Sequence, residues 1–289
     1  VTQAEGTIAV PGGEVWFKRV PGGPGLPLLV VHGGPGLPHQ YLDSLQRLAG
    51  EREVIYWDQL GCGKSERPTD PALWTMQRSM AEMKAVVGAL RLDRFHVFGN
   101  SWGAMLALQY VLDAPAGAVS LTISNSAASI SEFSKNVARL KSGLDPATQA
   151  AIDRHEDAGT ITAAEYQAAI RIWNATHLCR LQPWPTELEA AFQNMGTEIF
   201  ATMFGPSVFR INGTIEDWDV VDRLAEIAIP TLLLAARFDE FSPDHMREMH
   251  SRIAGSRFEF FDSTAHLPFL EEPERFDQIM RDFLRAQDI

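Results

Sequence analysis

The chain of 289 residues is 45% hydrophobic and 21% charged, a composition that supports a soluble globular fold with a sizeable core. Its formal charge of -12 and pI near 5.1 leave no basic excess to neutralise phosphates, which excludes nucleic acid and anionic membrane from the expected partners. The two cysteines, Cys62 and Cys179, lie far apart without metal-ligand spacing and fit free thiols in a reducing compartment.

In chain order, the stretch Val1 to Gly6 is polar and lacks a basic segment followed by an apolar one, so no secretory leader is expected. The longest apolar runs, Leu28–Val31 and Ile229–Ala236, fall far short of the roughly 20 residues that cross a bilayer, and a cytoplasmic location is expected. Thr7–Val10 and Val15–Arg19, separated by Pro11-Gly12-Gly13, predict an antiparallel hairpin at the leading edge of a sheet. Short apolar runs then recur at Leu28–Val31, Val54–Trp57, Phe95–Phe98, Val119–Ile123, Thr231–Ala235 and Phe258–Phe261, the pattern of strands buried on both faces. Helix-length stretches at Met76–Leu90, Trp102–Leu112 and Pro243–Ile253 alternate with them. This predicts an α/β fold, a mostly parallel sheet flanked by helices. The alternation stops after Asn125 and resumes at Ile229. The helix-rich block between, including Thr162-Ala163-Ala164-Glu165 with the form of a capping box, predicts a helical cap at 126–226 inserted between two parts of the core, 1–125 and 227–289.

Gly99-Asn100-Ser101-Trp102-Gly103 lies between a predicted strand and a predicted helix, where a strained turn with small neighbours lifts a serine hydroxyl clear of the sheet. A serine hydroxyl is a weak nucleophile near neutral pH, so a histidine must take its proton and a carboxylate must fix that histidine's tautomer. In this arrangement the chain order is Ser, acid, His. Asp239 follows the apolar strand ending at Ala236, whereas Asp217, Asp219 and Asp222 precede that strand and Asp244 begins or caps the next helix. His266 follows the strand ending at Phe261 and lies in the loop Ser263–Pro268. Ser101, Asp239 and His266 are therefore the candidate triad. An oxyanion also needs donors, and the expected ones are the N–H of Trp102 and that of Gly34, in the turn His32-Gly33-Gly34-Pro35-Gly36 after the strand at Leu28–Val31. His32 is read as a structural residue of that turn. Gly61-Cys62-Gly63-Lys64-Ser65 ends like a phosphate-binding loop, but Asp58 stands where that motif requires glycine, and nucleotide binding is rejected.

Together with Trp57–Ser65, Phe204-Gly205-Pro206, Gly213–Trp218 and Asp239-Glu240, these motifs resemble the prolyl iminopeptidase family within the α/β hydrolases, over nearly the whole chain. The resemblance implies removal of an N-terminal residue, often proline, from small peptides, amides or arylamides, with no metal or organic cofactor. It also implies that Glu240 holds the free ammonium of the substrate by charge pairing. Gly33 and Phe209 are placed with the substrate-binding residues. The chain departs from the family pattern at Val208, where some members carry a second acidic anchor, so the cap mouth is expected to be more apolar, with Trp173, Trp184, Phe192, Phe200, Phe204 and Phe209 as candidates to line it. The expected partner is a small molecule or short peptide with a free amino group. The alternatives are an amidohydrolase that removes an aminoacyl group from a long apolar acyl chain of the polyketide macrolactam type, an amino-acid amidase, and a carboxylesterase or lactonase.

Overall fold

Among the residues described by the computed structural model, 4–113 and 116–288, one eight-stranded sheet runs in the order β1-β2-β4-β3-β5-β6-β7-β8. Residues 1–3, part of the opening stretch read above for a leader, lie outside the described residues. β1 (Ala4–Val10) and β2 (Gly13–Val20) form an antiparallel hairpin, turning where Gly12 takes a φ of 98°. β2 pairs antiparallel with β4 (Arg52–Trp57), which lies parallel to β3 (Gly25–Val31). From β3 onward, β5 (Phe95–Asn100), β6 (Ala118–Ser124), β7 (Thr231–Ala236) and β8 (Arg257–Phe261) are all parallel. β7 is buried at every position, which explains its unbroken apolar run.

Helices α1 (Met76–Ala89) and α2 (Trp102–Asp113) follow β4 and β5. Five helices lie between β6 and β7: α3 (Ile130–Ser142), α4 (Pro146–Ala158), α5 (Ala164–His177), α6 (Thr186–Gln193) and α7 (Thr197–Met203). The chain then adds α8 (Pro243–Arg252), α9 (Pro268–Glu271) and α10 (Pro273–Arg285). Alternate strand residues feed two cores. Leu29, Val31, Ile55, Val97 and Leu233 pack with α1, α2 and α8, whereas Leu28, Val30, Val54, Phe98 and Leu234 pack with α10 and the 3-10 segment His39–Gly50. α10 does this with an apolar stripe, Phe276, Ile279, Met280, Phe283 and Leu284, at the spacing of one helical face. No described helix is long and apolar enough to cross a membrane, and Cys62 and Cys179 are both free and buried.

One local expectation changes and another is narrowed to the first of its two options, Asp244 beginning α8 without capping it. The segment Thr162–Glu165 is not a capping box: α5 starts at Ala164 after Ala163 with no side-chain cap, because Glu165 turns instead to Arg154 and His155 on α4, at 2.5 and 3.3 Å. Opposite charge outcompetes the reach back to the helix end. The cap of α8 is Ser242, whose hydroxyl accepts from the His245 N–H, while Asp244 sits in the first turn and pairs with Arg247 at 2.7 Å.

β4 and β5 flank β3 on opposite sides, so the chain reverses its direction of travel across the sheet there. Such a switch point opens a crevice at the carboxyl ends of the strands. The loop after β3 and the turn after β5 both lie at that end.

Candidate active site

Ser101 joins β5 to α2 with a φ of 57°, a left-handed conformation that a non-glycine residue holds only when its surroundings over-determine it. Those surroundings are tight. A Cβ on Gly99 would lie 2.5 Å from Ala104 Cα, and one on Gly103 would lie 2.1 Å from the Val31 carbonyl oxygen, so both flanks require glycine. The turn is held through backbone atoms: Ser101 N–H donates to Ser124 O at 3.1 Å, and Ser126 Oγ donates to Ser101 O at 2.8 Å. Trp102 is the first residue of α2, so its N–H lacks an intrahelical acceptor and lies at the positive end of the helix dipole.

The turn after β3 is fixed from below by a buried network. Gln59 N–H donates to His32 Nε2 at 2.8 Å, which leaves the proton on Nδ1, 3.0 Å from Gly33 O. Burial lowers the pKa of His32 to about 4, so the ring is neutral and acts as a brace. Gln59 also donates to His32 O at 2.8 Å and accepts from Trp102 Nε1 at 2.9 Å, tying this turn to the start of α2. Gly34 has a φ of 108°. Gly33 N–H is committed to Tyr41 Oη at 2.8 Å, and a Cβ there would lie 3.0 Å from Ser101 Cβ, so Gly33 supplies space beside the serine and not a hydrogen bond. The false phosphate loop is structural: Asp58 accepts from Lys64 N–H at 2.9 Å and from His39 Nδ1 at 2.7 Å.

Asp239, just after β7, and His266, between β8 and α9, meet at 2.8 Å through Oδ1 and Nδ1. Both are buried, at 2% and 4% exposure. Asp239 Oδ1 also accepts from Phe241 N–H at 3.1 Å and Oδ2 from Asn125 Nδ2 at 2.8 Å, so the carboxylate is fully supplied with donors. Burial opposes a charge on His266, but the charge and hydrogen bond of Asp239, with Glu240 and Glu271 behind them, outweigh it and raise its pKa. Phe241 stacks on the imidazole with ring centroids 5.4 Å apart and planes 18° from parallel.

Glu240 is buried beside this pair. Its Oε2 lies 3.4 Å from Trp173 Nε1, and among the described residues no lysine or arginine forms an ion pair with it. Burial, helped by Asp239, raises its pKa to about 7 although His266 pulls the other way. An unfolded chain ionises this carboxyl near 4.5, so the folded state loses stability as pH rises from there through 7, on the order of 3 kcal/mol in full. Glu240→Gln is therefore expected to raise Tm near pH 8 and to leave it nearly unchanged near pH 4, as calorimetry would measure. An unchanged Tm near pH 8 would contradict the penalty.

Residues of the inserted segment contact these groups. Trp173 on α5 packs against Phe209 at 4.8 Å and His177 at 4.5 Å, and His177 Nδ1–H donates to Phe238 O at 2.7 Å. Phe200 stacks on Phe204, Phe204 meets Phe133, and Phe133 meets Phe241 at 4.4 Å. Val208 lines a cavity of about 50 Å³ with Phe209, Val137 and Lys141. Ser207, next to it, is pinned to α4 by donating to Glu156 at 2.5 Å. Trp184 and Phe192 stand apart from this group: they pack on each other at 5.3 Å, and Trp184 lines a different cleft of about 290 Å³ with Arg171, Asn174 and Glu189. Asn125 and Phe241 were missed by sequence reasoning. Their one signal is position, each following a parallel strand at its carboxyl end.

A family model described as the alpha/beta hydrolase fold matches residues 27–273. The proline iminopeptidase of Heyndrickxia coagulans is 37% identical over 286 residues, 98% of this chain and 99% of that protein. Among solved structures, proline iminopeptidase from Mycobacterium smegmatis superposes with a TM-score of 0.91 at 36% identity, covering 99% of each chain. VinJ superposes with a TM-score of 0.93 at 34% identity, covering 98% of this chain and 99% of its own. The chain belongs to the proline iminopeptidase family of α/β-hydrolase-fold enzymes.

Proposed function

We propose that this chain is a serine hydrolase that cleaves the amide bond following an N-terminal aminoacyl residue, on a short peptide or small molecule with a free amino group. Glu240 carries the reading. A buried carboxyl whose pKa is raised to about 7, with no lysine or arginine partner among the described residues and next to the His266–Asp239 pair, is ready to ionise when a ligand brings a cation, and an α-ammonium group is such a cation. The names of the relatives point the same way.

In the proposed reaction Ser101 Oγ attacks the carbonyl while His266 Nε2 takes its proton. Asp239 stays ionised and holds Nδ1–H. The N–H groups of Trp102 and Gly34 receive the oxyanion. The tetrahedral intermediate collapses as His266 returns the proton to the leaving amine, and the acyl-enzyme is then hydrolysed by water activated by the same histidine. Helices α3–α7, within 126–226, act as a cap between the two parts of the core. Trp173 on α5, with Phe204 and Phe209 in the segment after α7, favours an apolar aminoacyl side chain.

The test is Glu240→Ala on aminoacyl anilides whose amine is free or acetylated. kcat/KM for the free-amine forms is expected to fall about 10²-fold, the scale for truncating one partner of a buried charge pair, with little change for the acetylated forms. Equal losses on both would remove the anchor.

A further inference from the structure

We propose that Glu271 is a positioning residue for this reaction, a partly buried carboxylate that fixes the backbone on both sides of His266 and ties it to the inserted helices. The inference rests on His266 being the general base. His266 lies in a segment without regular structure, between the end of β8 at Phe261 and the start of α9 at Pro268, so a handful of hydrogen bonds decides where its imidazole stands. Glu271 supplies several of them. Its Oε1 accepts from Ala265 N–H at 3.1 Å, immediately before His266, and the N–H of Leu267, immediately after, also donates to the carboxylate. Its Oε2 accepts from Arg180 N–H at 3.2 Å, in the stretch that follows α5. The N–H of His266 itself donates to Leu178 O at 3.2 Å, two residues before Arg180. Loop and insertion are thus laced together at two points, one between backbones and the other through the Glu271 side chain.

When ionised, the same carboxylate acts on the histidine through its charge, and burial raises its own pKa to about 7. The titratable groups facing His266 are Asp239 and Glu240 after β7 and Glu271 on α9; His177 on α5 faces Asp239, and Arg180 faces Glu271. The three carboxylates each favour the imidazolium. Among the described residues no hydrogen bond joins Glu271 to Ser101 or Glu240, so its effect is routed through His266.

The experiment compares wild type, Glu271→Gln and Glu271→Asp on free-amine and acetylated aminoacyl substrates across pH, with Ser101→Ala as blank and Tm as the check on folding. Gln keeps the shape but presents an amide donor to a backbone donor and removes the charge. kcat is expected to fall about 10- to 100-fold, the scale for a misplaced catalytic group, with KM within about 2-fold and the same loss on both substrate forms. The acid limb of kcat/KM is expected to move to lower pH in the Gln variant, while Asp, which keeps the charge, leaves it in place. Wild-type kcat and an unmoved acid limb in Glu271→Gln, beside an inactive Ser101→Ala, would overturn the positioning role alone. Activity in Ser101→Ala would overturn the triad reading beneath it. Failure of both Glu271 variants to fold would make Glu271 a framework residue and equally overturn the proposal.

Discussion

Ser101→Ala is expected to lower kcat by about 10⁵- to 10⁶-fold, the scale of losing a serine nucleophile, while Tm stays close to that of the wild type. The size follows from the mechanism: no other group takes the place of Oγ in forming the acyl-enzyme. The unchanged stability follows from the turn. Its hydrogen bonds run through Ser101 N–H to Ser124 O and through Ser101 O to Ser126 Oγ, Ala104 N–H and Met105 N–H, all of which survive in alanine. The left-handed φ of 57° costs alanine and serine similar amounts. Turnover of an aminoacyl anilide together with a calorimetric scan checks both halves. Retained activity in a folded variant would remove Ser101 from the reaction.

Asp239→Asn is expected to cost about 10⁴-fold in kcat, as in triads where the histidine is driven to the wrong tautomer. Here the geometry leaves the amide no good orientation. Oδ1 accepts from His266 Nδ1 and Phe241 N–H, and Oδ2 accepts from Asn125 Nδ2, so every neighbour is a donor. An amide offers one acceptor and one donor. If its NH₂ faces Asn125, two donors oppose each other in a buried site. If it faces His266, Nδ1 must accept, the ring proton moves to Nε2, and that nitrogen no longer takes the proton of Ser101. The lost negative charge also withdraws support from the imidazolium, so any residual activity is expected to show its acid limb at lower pH. A pH series of kcat on the purified variant reads both effects. Near wild-type kcat would exclude Asp239 from orienting the histidine.

Much of the fold was legible because its signals are local. β7 and β5 are apolar through burial on both faces, and Gly99 and Gly103 mark a turn that admits no larger residue, so strand, turn and helix could be read around Ser101 without knowing what packs on them. Asp239 and His266 were readable by another route, since each follows a strand end and the chain order leaves few competitors. What was not legible depends on contacts between distant segments. Asn125 reaches Asp239 across 114 positions, and Glu271 meets Arg180 across 91; neither has a periodicity or motif that announces it. The capping box at Thr162 failed for the same reason, since the cations on α4 that draw Glu165 away cannot be inferred from the four residues of the motif. The inserted aromatics divide likewise: composition marks all six as candidates, but tertiary packing sends Trp173 to Glu240 and leaves Trp184 with Phe192 at another cleft.

Recognition of a free amino group by Glu240 beside a serine nucleophile is read out in one comparison on the wild-type enzyme: kcat/KM for a panel of aminoacyl anilides, each with its amine free and acetylated. Acetylation is expected to lower kcat/KM about 10²-fold or more, because it removes the cation that pairs with the buried Glu240. Indifference to acetylation, or efficient cleavage of simple esters beside inert anilides, would contradict that recognition.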